Sequence, residues 1–82
     1  MTESKLANPA APTLMNSPLN LLARITDLKG DKVIVSRLRE IGFVRGEEVQ
    51  VRGRAPFGEP ILVEIRGAVV ALRRTEALCV QL

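Results

Sequence analysis

Apolar and polar residues alternate along Glu48-Val49-Gln50-Val51-Arg52 and again along Ile61-Leu62-Val63-Glu64-Ile65-Arg66. A period of two places Val49 and Val51, and likewise Ile61, Val63 and Ile65, on one face of a strand, so each segment is predicted to bury one side and wet the other. The residues between them, Pro56-Phe57-Gly58-Glu59-Pro60, are turn formers. Proline fixes φ, glycine accepts a positive φ, and the second proline stands where the next strand begins, so the pair reads as a hairpin.

Upstream the period changes. Ile34, Leu38 and Ile41 fall four and three apart, the spacing of one helical face, and Gly42 stands where a positive-φ residue ends a helix. Asp31 is placed to accept from the free amides of the first turn, and Arg37 and Arg39 suit the negative end of the dipole. Val33, Ile34 and Val35 are poor helix formers, which leaves open a strand running through Val35 and a late helix start. Before the Lys29-Gly30-Asp31 turn, Leu19, Leu21, Ala23 and Ile25 are apolar at every second position, predicting a first strand within 19–28. After the hairpin, Gly67 separates Val69-Val70-Ala71-Leu72 from the strand before it. Thr75-Glu76-Ala77 then turns into a last strand, Leu78 to Leu82, with Leu78, Val80 and Leu82 on one face. The result is a mostly β chain, a small closed or nearly closed barrel of about five strands with one short α-helix between the first two.

Length limits what this barrel can hold. The 82 residues make one domain, and a chain of this size buries little more than about 60% of its unfolded surface. With two Phe and neither Trp nor Tyr the core is aliphatic, which implies no sizeable cofactor cavity. Residues 1–18 hold three of the five prolines and show neither period, so they read as a flexible leader to a domain at 19–82. Leu14 and Met15 are the exception, apolar residues able to fold back over one end of the barrel. Twelve Lys and Arg against nine Asp and Glu give a formal charge of +3 with the signs interspersed, which describes a mixed solvated surface. Arg52, Arg54 and Arg66 keep an RNA-binding alternative open, but stacking aromatics between the charges are missing. One cysteine cannot close an intrachain disulfide, and no apolar run approaches the roughly 20 residues of a membrane span, so the cytoplasm is the expected compartment.

Candidate chemistry is sparse. No histidine is present, which removes the commonest general base and the commonest transition-metal ligand together. Neither Ser36 nor Cys79 lies in a nucleophile motif, and the glycines stand singly at turns. A lone Cys79 reads more readily as a small filler than as a metal ligand, and Glu47-Glu48 as a solvated turn rather than a cation site. Phe43, directly after Gly42, is expected to pack back onto the helix. Phe57 has two readings, a plug on the barrel end or an exposed anchor for a partner. Leu62 alternates out of phase with the buried set and could join Phe57 in an apolar patch.

Arg37-Leu38 to Gly42, Gly46 with Val49 and Val51, Ala55-Pro56-Phe57-Gly58-Glu59-Pro60-Ile61, Ala71-Leu72-Arg73 and Glu76-Ala77 together resemble the FeoA family over roughly 19–82. Asn16-Ser17-Pro18-Leu19 departs from the Leu and Lys-Pro-Gly turn usual in that family, and Arg45 stands where proline is usual. The resemblance implies an SH3-like barrel and a non-enzymatic cytosolic accessory of bacterial ferrous iron uptake, without resident cofactor or membrane insertion. Its implied partner is the FeoB membrane transporter, through that protein's cytosolic GTP-binding region. Phe57, Leu62, Arg37 and Arg39 are the expected contact residues. The domain also resembles the C-terminal module of DtxR-like metal-dependent repressors, so a metal-responsive module is the alternative. A direct Fe(II) site would then draw on Asp27, Asp31, Glu47 and Glu48, with weak and exchangeable binding.

Overall fold

The computed structural model describes residues 12–82. After two short strands, β1 (Ala23–Arg24) and β2 (Asp27–Leu28), the chain enters helix α1 (Lys32–Ile41). The Asp31 carboxylate accepts from the N–H groups of Val33 and Ile34 at 2.9 and 3.1 Å. That cap, worth about 1 kcal/mol, and the burial of Val35 and Leu38 outweigh the weak helix propensity of three β-branched residues. The alternative of a strand through Val35 is therefore not realised. The buried stripe is also rotated from the expected one: Val35 and Leu38 are inside, whereas Ile41 is 48% exposed.

The helix ends as its sequence predicts. Gly42 adopts φ 127°, and its N–H bonds the carbonyls of Leu38 and Arg39 while Phe43 N–H reaches the Leu38 carbonyl at 2.9 Å. This is a Schellman arrangement, and the apolar contact that accompanies it is supplied by Phe43, fully buried beside Leu38 in the core cluster.

Beyond Phe43 the chain forms an antiparallel meander of β3 (Glu48–Arg54), β4 (Ile61–Ile65) and β5 (Ala68–Leu72). Val49, Val51, Ile61, Val63 and Ile65 are all buried, as the alternation predicts. A bulge between Val51 and Gly53 shifts the β3–β4 register. Arg66 and Gly67, at φ 52° and 83°, make the two-residue turn into β5, a type I′ geometry whose twist suits a hairpin. In β5, Leu72 is buried and Val70 half-buried, leaving Val69 60% exposed.

Two expectations are corrected at the ends. Residues 19–28 are not one strand. Ile25 N–H bonds Glu47 in the β1–β3 pair's sheet, whereas Thr26 N–H bonds Gln81 beside the pair of β2 with β6 (Val80–Gln81), so the chain changes sheets between them. Leu19 and Leu21, expected inside, are about half exposed, because Asn20 at φ 61° breaks the strand geometry. Near the C-terminus a short helix, α2 (Arg74–Ala77), replaces the expected turn. Its last bonds, from Leu78 N–H to Arg74 and Cys79 N–H to Glu76, hold Leu78 outward while Cys79 and Val80 are both buried, so Leu78, Val80 and Leu82 do not share a face.

The expected boundary between residues 18 and 19 also shifts. Thr13 Oγ1 accepts from Met15 N–H, Asn16 Oδ1 accepts from Thr13 N–H, and the 3-10 turn they close, Leu14–Asn16, drives Leu14 fully into the core. Leu82 N–H bonds the Pro12 carbonyl at 2.9 Å. Residues 13–18, with the Pro12 carbonyl, thus belong to the packed unit, and residues 1–11 of the expected leader lie outside the described residues. The whole is a mostly β, SH3-like barrel built from a four-stranded sheet, order β1-β3-β4-β5, and the β2–β6 pair.

Candidate functional site

The β3–β4 loop is tied down at three points. Ala55 N–H bonds the Pro60 carbonyl at 3.1 Å, and Gly58 N–H bonds the Ala55 carbonyl at 2.8 Å. Glu59 Oε1 accepts from the N–H of Arg74 at 2.7 Å, joining the loop to the first turn of α2. At the tip of this fixed loop Phe57 is 95% exposed, which overturns the plug reading. The barrel end beneath it is already closed by Ile61 and Leu72, both buried. Leu62 faces outward from β4 opposite Gly53 and Ala71, and with only small neighbours it stays 41% exposed. Phe57 and Leu62 therefore stand at the same end of one hairpin.

Arg37 and Arg39 lie elsewhere, exposed on α1. The helix ends two residues after Arg39, at Ile41, and Gly42 there approaches Arg66, beyond the far end of β4 from the Phe57 loop. Five residue steps separate Ile61 from Arg66, roughly 16 Å along a strand. The structure therefore brings together Phe57 and Leu62 but not these with Arg39.

Most of the other singled-out charges are engaged within the fold. Asp27 Oδ1 accepts from Leu28 N–H at 2.8 Å and meets Arg45 at 3.5 Å. The Leu28 N–H, with help from Arg45, holds this carboxyl below the usual carboxylate range. Asp31 caps α1, and Glu48 pairs with Arg24 at 3.1 Å. Among the described residues no three His, Cys, Asp or Glu side chains are grouped to hold a metal ion. Arg52 pairs with Glu64 at 3.0 Å and Arg54 donates to the Ser17 carbonyl at 2.7 Å, so two of the three arginines considered for RNA serve the barrel itself. Cys79 is buried, its thiol donating to the Thr75 carbonyl, and burial pushes its pKa up. Leu19 and Leu21, expected on the buried face, are exposed together with Leu22 and Val69. The consecutive Leu21-Leu22, which fits no period of two, is the one sign in the sequence that this segment is not a regular strand.

The family model of the FeoA domain matches residues 13–82, starting at the residue that opens the packed unit. The chain belongs to the FeoA family. Among solved structures it is similar to the zinc complex of Stenotrophomonas maltophilia FeoA, described as a prokaryotic SH3 domain protein and a candidate ferrous iron transport activating factor. Identity is 40%, TM-score 0.75, with 85% of this chain and 87% of that one covered. Clostridium thermocellum iron(II) transport protein A is 31% identical at TM-score 0.80, with 85% of this chain and 43% of that one covered. Chlorobium tepidum FeoA is 30% identical at TM-score 0.78, covering 85% and 67%. A manganese-dependent transcriptional repressor shares the fold at 21% identity and TM-score 0.76. No match is found among curated proteins. FeoA membership gives the chain a role related to ferrous iron transport. Among the described residues no helix is long and apolar enough to cross a membrane.

Proposed function

We propose that this FeoA protein is a non-enzymatic cytoplasmic adaptor that binds the FeoB transporter at its cytosolic GTP-binding region and modulates it. The observation that carries the proposal is Phe57, an aromatic side chain 95% exposed on a loop whose backbone is fixed by three hydrogen bonds. Burying a phenylalanine contributes about 1.5–3 kcal/mol, and aromatic anchors commonly dominate protein interfaces. Leu62 extends the apolar surface along β4, and Arg37 and Arg39 supply a second, basic contact on α1. The chain needs no resident cofactor in this role.

The metal-responsive alternative has less support. Three of its four candidate carboxylates, Asp27, Asp31 and Glu48, already accept from backbone amides or arginines. Binding of Phe57→Ala/Leu62→Ala to the isolated FeoB GTP-binding region, measured by calorimetry, is expected to be at least about tenfold weaker than that of the unaltered chain. The thermal midpoint should move by only a few degrees. Unchanged affinity would contradict the placement of the contact; tight stoichiometric Fe(II) binding under anaerobic conditions would favour the metal reading.

A further inference from the structure

β5 is the outer strand of the four-stranded sheet and pairs only with β4 among the described residues. Its sequence, Ala68-Val69-Val70-Ala71-Leu72, contains no charge, proline or bulge, the devices that usually protect an edge. The tight Arg66-Gly67 turn makes Ile65 and Ala68 the first bonded pair of the hairpin, so Ala68, Val70 and Leu72 direct their N–H and C=O groups to β4. The corresponding groups of Val69 and Ala71 point away from the sheet. Both residues are exposed, and their side chains lie on the outer face, where Ala71 is opposite Leu62. That strip continues toward Phe57, because Glu59 in the loop bonds Arg74 just past the end of β5.

We infer that the β5 edge receives an extended segment of a protein partner as an added antiparallel strand, apolar at alternate positions and acidic at its ends. Four backbone groups, the N–H and C=O of Val69 and Ala71, bond the incoming strand, and Val69, Ala71 and Leu62 receive its side chains. The acidic ends follow from Arg66 before the strand and Arg73 and Arg74 after it, none of them in an ion pair among the described residues. Glu59 and Glu76 are near the second end, each bonded to a backbone N–H; at the first end Arg66 shares a hollow with Glu47, Glu48 and Glu64, of which Glu48 is paired with Arg24 and Glu64, opposite Val69, with Arg52. A second copy of this chain fits the edge poorly. The symmetric register that uses all four groups is centred on Val70 and brings the Arg66 turn of each copy to the Arg73–Arg74 end of the other, which gathers like charges at both ends of the added pair. The inference adds a recognition mode to the adaptor reading, from which it takes only the position of the surface.

The test uses the full chain and a synthetic capped peptide of five alternating Val and Thr residues with two Glu at each end, against the same peptide with Lys in place of Glu. Amide exchange and chemical shifts are read by NMR. The Glu-flanked peptide is expected to slow exchange at Val69 and Ala71 while leaving Val70 unchanged, and to bind at least about fivefold more tightly than the Lys-flanked one. Val69→Pro, which removes an N–H that β4 does not use, should abolish the effect, and Val69→Thr should retain it. Should Val69→Pro fail to fold, the exchange rates in the unaltered chain decide alone. Unprotected Val69 and Ala71 at millimolar Glu-flanked peptide, or equal affinity for the two peptides, would overturn the inference. So would a dimer in sedimentation whose formation protects the same two amides, which would assign the edge to a second copy. No transporter is present, so failure of the FeoB reading and failure of this one are separately visible.

Discussion

Leu14→Ala tests how far the domain extends toward the N-terminus. Leu14 is fully buried and its turn is closed by Thr13 and Asn16, so truncation leaves a cavity between that turn, α2 and the barrel rather than a solvated gap. Replacing a fully buried leucine by alanine costs about 2.7–5 kcal/mol, depending on how well the site collapses. The described 71 residues, 12 to 82, should have a total stability of about 4–10 kcal/mol, so this one change removes a large part of it. With a urea m-value of about 1 kcal/mol/M for so small a domain, the midpoint should fall by about 3 M. Because the chain has neither Trp nor Tyr, unfolding is followed by far-UV circular dichroism. Phe57→Ala is the control, since an exposed side chain should change stability by no more than about 0.5 kcal/mol. A midpoint shift under about 0.5 M for Leu14→Ala would refute the packing of residues 13–18 and restore the boundary at residue 19.

Gly30 has φ 134° and a Cβ built there would stand 2.7 Å from Cys79 Sγ. Gly30→Ala is expected to destabilise by about 2–3 kcal/mol, and the double variant with Cys79→Ala should be more stable than the two single effects predict by at least about 1 kcal/mol; strict additivity in urea titrations would contradict the contact. Asp27 has a lowered folded pKa, so its contribution is present above the ordinary carboxylate range and is lost as pH falls through that lower value. The urea-midpoint advantage of the unaltered chain over Asp27→Asn should accordingly shrink below about pH 4, and a gap constant from pH 7 to pH 2 would show that the charge is not involved.

Local rules carried much of the architecture because several of them agreed at the same residues. Gly42 with Phe43 fixed the helix end, and the alternation through Val49, Val51, Ile61, Val63 and Ile65 fixed the two central strands. The rest depended on tertiary placement. Asn20 and the crossing between Ile25 and Thr26 divide a segment whose alternation looks continuous, since a period of two assigns faces but not sheets. Leu14 is buried because Pro12 and Thr13 meet the C-terminal strand across nearly the whole length of the chain, a contact that composition cannot reveal. Phe57 was visible as a loop aromatic, but its outward position follows from the Glu59 tie to Arg74 and from a barrel end already filled by Ile61 and Leu72. Arg45, the departure from the family pattern, acquires a role only beside Asp27.

The adaptor account is tested most directly by retention of the purified chain on detergent-solubilised FeoB at moderate salt, with and without a GTP analogue, compared with Phe57→Ala/Leu62→Ala. The account predicts retention of the unaltered chain, its loss in the variant, and a dependence on nucleotide that follows from contact with the GTP-binding region. Absence of retention in both nucleotide states, or equal retention of the variant, would contradict it.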